Sequence, residues 1–271
     1  MKNFDVLIAC CKEGQKMKNL FEFWSEIEAL LRSNRRVYVL ADYDGTLTPI
    51  VNYPDQAILN ANNRDLLKSF TKDRRFVLAI ITGRSLKEII NLVKIQGVYY
   101  IGNHGLEIKG PSLNFIHPVA EKLSPKISKI CKNLKVKFES INGVIVEDKG
   151  LTASIHYRMA PKRMIGEIKK AVKSMVRSHV DFEIRHGKMV FEIRPKVSWD
   201  KGDAALWLIQ NLGEDGIPVY IGDDKTDEDA FKKINWGLTI LVSSKRRRSN
   251  ARYYLKSPED VHKFLHRLLN F

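Results

Sequence analysis

Several aspartates in this sequence directly follow apolar runs. Asp42 and Asp44 come after the run VYVLA, and Asp223, Asp224 and Asp227 come after the run VYIG. Such runs are typical of buried strands in a parallel sheet, and the carboxyl ends of these strands meet at the edge where ligands bind. Carboxylates gathered there repel one another, and their oxygens suit a hard cation. We therefore predict a Mg²⁺ site at this edge.

Two further apolar runs end in polar groups that would reach the same edge. RFVLAII leads into Thr82 and Arg84, and VYYIG leads into Asn103 and His104. Helix capping explains any one of these residues, but it does not explain polar groups at four strand ends together. No second His or Cys stands at metal-binding spacing from His104, so we expect it to donate or accept hydrogen bonds rather than to bind metal.

Other phosphate and cation motifs do not fit the sequence. The run DDKTDED fails the EF-hand pattern because Lys225 occupies its third position and no glycine occupies its sixth. Nothing matches the glycine-rich P-loop that ends in Gly-Lys-Ser/Thr.

The order of the elements predicts an α/β fold with a doubly wound, Rossmann-like parallel sheet. Near-continuous apolar strands alternate with helices predicted over 16–34, 60–72, 85–94, 201–212, 227–234 and 258–270. This alternation indicates a sheet covered by helices on both faces.

The middle of the chain follows a different pattern, which predicts an inserted α+β cap with an open antiparallel sheet. Helices are expected near 120–132 and 161–178. Apolar and polar residues alternate, as in strands, in VKFES (136–140), GVIVED (143–148) and LTASIHYR (151–158). FEIRHGKMVFEIRP (182–195) predicts two strands around a His-Gly turn. The predicted domains are an N-terminal extension at 1–15, a core domain formed by 16–112 together with 197–271, and the cap at 113–196.

Composition excludes several classes of protein. The 271 residues are 44% hydrophobic and 28% charged, which is ordinary for a globular protein, and no apolar run approaches the roughly 20 residues that span a bilayer. The net charge of +15 invites a nucleic-acid-binding interpretation. However, the lysines are dispersed, and only residues 245–248 form a basic cluster, without a nucleic-acid-binding motif around it.

The cysteines and the absence of targeting signals predict a cytoplasmic protein. Cys10, Cys11 and Cys131 form neither a metal-binding pattern nor a disulfide framework, as expected for reduced thiols. We expect a monomer that binds no membrane and no nucleic acid, with a small phosphorylated molecule as its partner.

An ordered set of motifs gives the sequence a specific resemblance. DYDGT, ITGR, the lysine of WDKGDA and GDDKTDEDAF resemble the four motifs of haloacid dehalogenase-like (HAD) phosphatases. Together with GNHGLE, VEDKGLTASIHYR and GKMVFEIRP, they are similar to the trehalose-6-phosphate phosphatase family over about 85% of the chain.

That resemblance implies a mechanism and a role for each core residue. Asp42 would attack phosphorus as the nucleophile, and Asp44 would transfer protons as the acid and base. Thr82 and Lys201 would complete the catalytic set by holding the phosphoryl group. Mg²⁺ would be held by Asp42, the backbone carbonyl of Asp44, and Asp223, with Asp227 orienting the cation's surroundings.

The resemblance also implies which residues bind the substrate, a sugar phosphate. Phosphoryl transfer needs none of the cap, so the cap would carry specificity by hydrogen-bonding the sugar hydroxyls. The substrate-binding residues implied are Gly45, Arg84, Asn103 and His104 in the core, and Glu147, Lys149, Lys188 and Glu192 in the cap.

Two other kinds of function stay open on the sequence alone. One is a related sugar-phosphate phosphatase, of the sucrose-phosphate or mannosyl-phosphoglycerate type, or a phosphosugar mutase. The other is a nucleic-acid-binding protein on a vestigial phosphatase fold. The complete set of Asp42, Asp44, Thr82, Lys201 and Asp223 argues against a vestigial site.

Overall fold

A computed structural model describes residues 17–51, 54–213, 215–245 and 247–271. The chain divides into two compact units, one of Met1–Asn114 with Trp199–Phe271 and one of Phe115–Ser198. The predicted extension at 1–15, with Cys10 and Cys11, lies outside the described residues, and the predicted domain limits stay a prediction. Within the described residues, no helix is both long and apolar enough to cross a bilayer. The cytoplasmic location and the monomeric state stay predictions.

The strands are β1 (Lys18–Asn19), β2 (Arg36–Asp42), β3 (Phe76–Ile81), β4 (Tyr99–Gly102), β5 (Glu107–Lys109), β6 (Asn114–Ile116), β7 (Ile145–Asp148), β8 (Ala153–His156), β9 (Phe182–Gly187), β10 (Val190–Pro195), β11 (Gly216–Gly222), β12 (Leu238–Val242) and β13 (Tyr253–Leu255). The helices are α1 (Trp24–Arg32), α2 (Ala61–Phe70), α3 (Leu86–Val93), α4 (Pro118–Phe138), α5 (Ile165–Arg177), α6 (Lys201–Leu212), α7 (Asp227–Lys233) and α8 (Pro258–Leu269).

The larger sheet has the order β1-β13-β12-β11-β2-β3-β4-β5-β6. In this spatial order, every neighbouring pair between β1 at the edge and β4 is parallel, and the β4–β5 pair is antiparallel. A separate sheet has the antiparallel order β7-β8-β10-β9. The predicted fold class, a mostly parallel α/β sheet with an antiparallel insert, is confirmed.

Strand β2 runs through the centre of the larger sheet, and its neighbours fix where the first aspartate emerges. It pairs with β11 on one side and β3 on the other, with Ala41 opposite Ile221 and Asp42 opposite Ile81. Every residue of β2 after Arg36 is buried. The register brings the carboxyl ends of β2, β3 and β11 level, as the sequence predicted.

The first helix is shorter than the predicted span of 16–34. Lys18–Asn19 instead pair with Tyr253 and Tyr254 as a short parallel strand, and the α-helix begins only at Trp24. The apolar stripe that identified it is real, because Trp24, Ile27 and Leu31 are all buried.

In the second unit, the predicted strand VKFES is wrong. Helix α4 continues through it to Phe138. Leu134 and Phe138 stand four residues apart and are buried on the same face as Ile127 and Ile130. The helical spacing of these large apolar residues therefore outweighs the local two-residue alternation.

The hairpin of the second unit turns two residues later than predicted. Its loop is Lys188–Met189 rather than His186–Gly187, and Met189 has a φ of 63°. The register pairs Ile184 with Ile193 across the hairpin. This apolar pair sets the register of the two strands, and the register in turn determines which residues form the turn.

Candidate active site

Asp42 leaves the end of β2 and meets a lysine from a distant region of the sequence. The Nζ atom of Lys201 lies 2.7 Å from Asp42 Oδ1 and 2.9 Å from Asp227 Oδ1. All three side chains are almost fully buried. Lys201 is the first residue of α6, and the preceding Asp200 caps that helix through the backbone N–H groups of Gly202 and Asp203. The cap fixes the direction in which Lys201 leaves the helix.

Asp227 accepts four hydrogen bonds in this arrangement. Oδ1 accepts from Lys201 and from the Tyr220 hydroxyl at 3.0 Å. Oδ2 accepts from the backbone N–H groups of Asp223 and Asp224, both at 3.1 Å. A carboxylate offers about four acceptor positions. The bonds therefore use all of them, and Asp227 shapes the loop after β11.

Asp223 lies in that loop and faces the loop after β2. Gly45 has a φ of 87°, and a Cβ atom added there would lie 2.4 Å from Asp223 Oδ2. Glycine is therefore required by both the backbone conformation and the close approach of the carboxylate. Turn propensity alone does not account for this glycine.

The acidic residues also fit the predicted cation. One carboxylate oxygen each from Asp42, Asp223 and Asp227 lies within 4.8 Å of the others. An all-oxygen donor set is the kind that hard divalent cations such as Mg²⁺ prefer. Because the acceptor positions of Asp227 are taken by hydrogen bonds, Asp42 and Asp223 are the better candidates for direct ligands.

Positive charge beside the buried Asp42 carboxylate would favour its ionised form. Burial raises the pKa of the Asp42 carboxyl well above its usual range, although the Lys201 ammonium opposes this shift. Burial would lower the pKa of Lys201, but Asp227 and Asp42 raise it well above its usual range. The lysine is therefore charged, and its ion pair favours the ionised form of Asp42. A cation beside Asp42 would favour it further.

Asp44 is held separately from Asp42, by an arginine from the loop after β3. Arg84 Nε donates to Asp44 Oδ2 and Nη2 donates to Oδ1, each at 2.7 Å. Nη1 of the same guanidinium pairs with Glu88, in the first turn of α3. The guanidinium also lies 5.7 Å from the centre of the buried Tyr43 ring. These contacts fix the Arg84 fork, which binds a carboxylate through both oxygens.

Thr82 ties the loop after β3 to the loop after β4. Its hydroxyl accepts from the backbone N–H of Arg84 at 3.2 Å, and its carbonyl accepts from the N–H of His104 at 2.9 Å. Its own N–H donates to the carbonyl of Ile101 at 2.9 Å. The side chain is 1% exposed, so the position of Thr82 is set from three directions.

Asn103 and His104 adopt left-handed backbone conformations, with φ values of 48° and 58°. Glu107 stabilises this loop, since one of its carboxylate oxygens accepts from the Asn103 amide at 2.6 Å and from the N–H of Leu86 at 2.7 Å. The His104 ring lies against Gly83, where a Cβ atom would come within 2.3 Å of it. Left-handed non-glycine residues are costly and concentrate at functional sites.

The chain also resembles known proteins over most of its length. The sequence profile of the trehalose-phosphatase family matches residues 40–259. The chain belongs to the trehalose-phosphatase family. Among its relatives, the trehalose 6-phosphate phosphatase RA3 of Zea mays is 35% identical over 284 residues, which cover 97% of this chain and 78% of the relative. The predicted enzyme class, a phosphatase, is confirmed.

Solved structures show the same fold. The C-terminal domain of the C. albicans trehalose-6-phosphate phosphatase has a TM-score of 0.77 at 24% identity, covering 94% of this chain and 99% of that one. A haloacid dehalogenase-like hydrolase from Bacteroides thetaiotaomicron has a TM-score of 0.61 at 14% identity, covering 86% and 99%. At these identities the likeness concerns the fold alone, and it confirms the HAD fold that the motifs predicted.

In this trehalose-phosphatase family member, the four-stranded sheet of the second unit has one apolar and one polar face. Val146, Ile155 and Phe191 belong to the apolar core that includes residues of α4 and α5. Glu147 pairs across the sheet with Ser154, which pairs with Glu192. Directly paired residues share a face. The two predicted glutamates therefore form one row on the face opposite that core.

Both glutamates have polar or charged partners within the second unit. Glu147 lies 3.0 Å from His156 Nε2 and 3.9 Å from Lys149 Nζ. Glu192 pairs with Arg194. Lys188 is not in this row, because it lies in the exposed β9–β10 turn.

Sequence reasoning missed several residues that organise the core site. Glu88 stands four residues after Arg84, a spacing at which opposite charges pair on a helix, although Arg84 itself precedes the N-cap Ser85 of α3. Glu107 ends the GNHGLE motif, but its residue type alone indicates no role there. Tyr220 offered no signal, because a tyrosine inside an apolar strand usually packs in the core.

Proposed function

We propose that this protein is a Mg²⁺-dependent phosphatase that hydrolyses trehalose 6-phosphate to trehalose and phosphate through an aspartyl-phosphate on Asp42. The observation that carries the proposal is the buried contact of Lys201 with Asp42, beside Asp223 and Asp227. Family membership supports the reaction class, and the names of the relatives point to the substrate.

In the first step, a carboxylate oxygen of Asp42 attacks phosphorus. A bond forms between that oxygen and phosphorus, and the bond from phosphorus to the sugar oxygen breaks. Asp44 donates a proton to the departing sugar oxygen. Both Asp44 oxygens accept bonds from Arg84 in this structure. A protonated carboxyl keeps acceptor capacity, so Arg84 can hold Asp44 in position while Asp44 donates its proton.

In the second step, water hydrolyses the aspartyl-phosphate. Asp44 accepts a proton from the attacking water, phosphate leaves, and Asp42 regains its carboxylate. Lys201 balances negative charge on Asp42 and the phosphoryl group throughout, and Thr82 donates its hydroxyl to a phosphoryl oxygen.

Mg²⁺ would be held by Asp42, the Asp44 backbone carbonyl and Asp223. When bound, it would offset the negative charges of the nucleophile and the phosphate. Asp227 would not bind the cation itself. It would fix the loop that carries Asp223, and it would also hold the ammonium group of Lys201.

Recognition of the sugar would fall to polar groups. We propose that Glu147, Lys149, Lys188 and Glu192 hydrogen-bond sugar hydroxyls, together with Arg84, Asn103 and His104, while Gly45 leaves room for the phosphate. Charged side chains suit a polyol, because they supply several donors and acceptors without an apolar pocket.

Phosphate release by the native protein and by Asp42→Asn tests the reaction. We expect the native protein with Mg²⁺ to release phosphate from trehalose 6-phosphate, and Asp42→Asn to lose at least about 10³-fold in kcat. Acid quenching of a burst of native turnover should trap phosphate on the protein, and peptide mapping should place it on Asp42. Full activity in Asp42→Asn would exclude the mechanism, and preference for another phosphosugar would exclude the substrate.

A further inference from the structure

Tyr220 is a fully buried tyrosine in the middle of the apolar strand β11. Its ring packs edge-on against Phe231 of α7, with ring centres 5.7 Å apart. Its hydroxyl donates to Asp227 Oδ1 at 3.0 Å. The hydroxyl is therefore the one group of this side chain that faces charge.

Burial, and then the charge of Asp227, raise the pKa of Tyr220 well above its usual range. The phenol therefore stays protonated and keeps its proton directed at the carboxylate. Phenylalanine would fill the same space and keep the contact with Phe231, but it would remove this donor.

Asp227 Oδ1 is shared between the Tyr220 hydroxyl and the Lys201 ammonium. The other oxygen is held by the N–H groups of Asp223 and Asp224. Without the hydroxyl, Oδ1 keeps a single donor, and the carboxylate can rotate or pull Lys201 away from Asp42. A rotated Asp227 would also release the loop that presents Asp223.

We propose that the Tyr220 hydroxyl is a positioning group that locks the Asp227 carboxylate and so holds Lys201 on Asp42 and Asp223 at the cation site. This rests on the proposed function for the reaction it serves. Tyr220 touches neither the reacting atoms nor the cation, and it acts through Asp227.

Tyr220→Phe tests the proposal, with Tyr100→Phe as the matched control. Tyr100 is a buried tyrosine of the same sheet, in β4, and its hydroxyl, which accepts from the N–H of Ile95 at 3.1 Å, donates to the carbonyl of the same residue at 2.8 Å. Ile95 precedes β4, so this bond lies toward the amino end of the strand, opposite the site. Each variant loses one buried hydroxyl, and thermal unfolding should show similar losses of stability.

Two readouts separate positioning from stability. Titration with Mn²⁺, followed by the electron paramagnetic resonance signal of the free ion, should show about 10-fold weaker binding in Tyr220→Phe and unchanged binding in Tyr100→Phe. With the phosphosugar that the native protein turns over fastest, kcat of Tyr220→Phe should fall roughly 10- to 100-fold, with KM within about threefold. Tyr100→Phe should keep both constants.

The Mn²⁺ titration needs no substrate, so it stands even if trehalose 6-phosphate is the wrong substrate. Native-like Mn²⁺ binding and kcat in Tyr220→Phe would overturn the proposal, as would equal losses in the control. A Tyr220→Phe protein that fails to fold where Tyr100→Phe folds would also overturn it, since the hydroxyl would then serve stability.

Discussion

Arg84 donates two hydrogen bonds to Asp44, one to each carboxylate oxygen, at 2.7 Å each. The substrate-binding role proposed for Arg84 therefore has to compete with a contact to the proposed acid and base. Glu88 and Tyr43 contact the same guanidinium and keep it in place beside Asp44. We therefore propose that Arg84 stays there during turnover and divides its N–H donors between Asp44 and the substrate.

Replacing Arg84 should impair proton transfer more than it impairs folding. Lysine keeps the charge but cannot reach both oxygens in a fork, so we expect Arg84→Lys to lower kcat by roughly 100-fold. The measurement is kcat with trehalose 6-phosphate, beside Glu88→Gln, which keeps both bonds to Asp44 and should lose far less. Equal losses in the two variants would mean that the contact with Asp44 is not the one that matters.

Mg²⁺ should stabilise the native protein, because it binds carboxylates that the fold gathers and the unfolded chain disperses. At 100 times its dissociation constant, a bound ion adds about 2.7 kcal/mol to the free energy of unfolding. We expect the melting temperature to rise with Mg²⁺ and activity to vanish with a chelator and return on re-addition.

Asp223→Asn should abolish most of that rise, whereas Asp65→Asn, at an exposed position of α2, should keep it. A chelator-treated protein with full activity would argue against a cation in the reaction.

His262 should make stability depend on pH. Its Nε2 bonds the carbonyl of Leu47 at 2.9 Å, in the loop after the nucleophile, and its buried Nδ1 has no hydrogen-bond partner among the described residues. Burial lowers the pKa of His262 below its usual value near 6.5. The unfolded chain therefore binds more protons below pH 6.5. Stability that is fully present above this pH is lost as the pH falls through the folded pKa.

The free energy of unfolding, measured by urea from pH 7.5 to 5, checks this prediction. His262→Gln cannot titrate and should show a shallower decline, whereas His266→Gln, at an exposed position of the same helix, should follow the native slope. A native slope in His262→Gln would assign the pH dependence to other groups.

Glu192 should matter for the sugar and not for the phosphoryl chemistry. We expect Glu192→Ala to lower kcat/KM for trehalose 6-phosphate by roughly 10- to 100-fold, the range for a lost bond to a charged group. Hydrolysis of a small aryl phosphate should change little. Glu167→Ala, at an exposed position of α5, is the control and should leave both activities intact. Equal losses on both substrates would show that Glu192 does not recognise the sugar.

The carboxyl ends of the strands could be predicted because their signals are local. The apolar runs before Asp42, Thr82 and Asp223 are long enough to identify buried strands, and parallel pairing brings their ends together. In the second unit, the alternation of apolar and polar residues predicted the strands of Glu147 and Glu192, but their common row depends on how β7, β8 and β10 pair. The prediction failed at VKFES, where a local pattern competed with the longer helical period that buries Phe138.

The partners of the site residues could not be read from the sequence. The pairing of Arg84 with Asp44 depends on how two loops approach, and the sequence contains no pattern for it. Tyr220 could be predicted even less well, because the sequence does not distinguish a tyrosine that only packs in the core from one that positions a site residue. Only the structure shows its hydroxyl beside Asp227. The sequence resemblance implied only that Gly45 binds substrate, and the structure adds that the close approach of Asp223 requires glycine at this position.

A competition between two substrates tests the central claim most directly. Native protein with Mg²⁺ is given equal concentrations of trehalose 6-phosphate and sucrose 6-phosphate, and ³¹P NMR follows both signals in one tube. The ratio of the initial rates is the ratio of the kcat/KM values. We predict that trehalose 6-phosphate disappears at least about 100-fold faster, whereas equal rates or faster loss of sucrose 6-phosphate would contradict the proposed substrate.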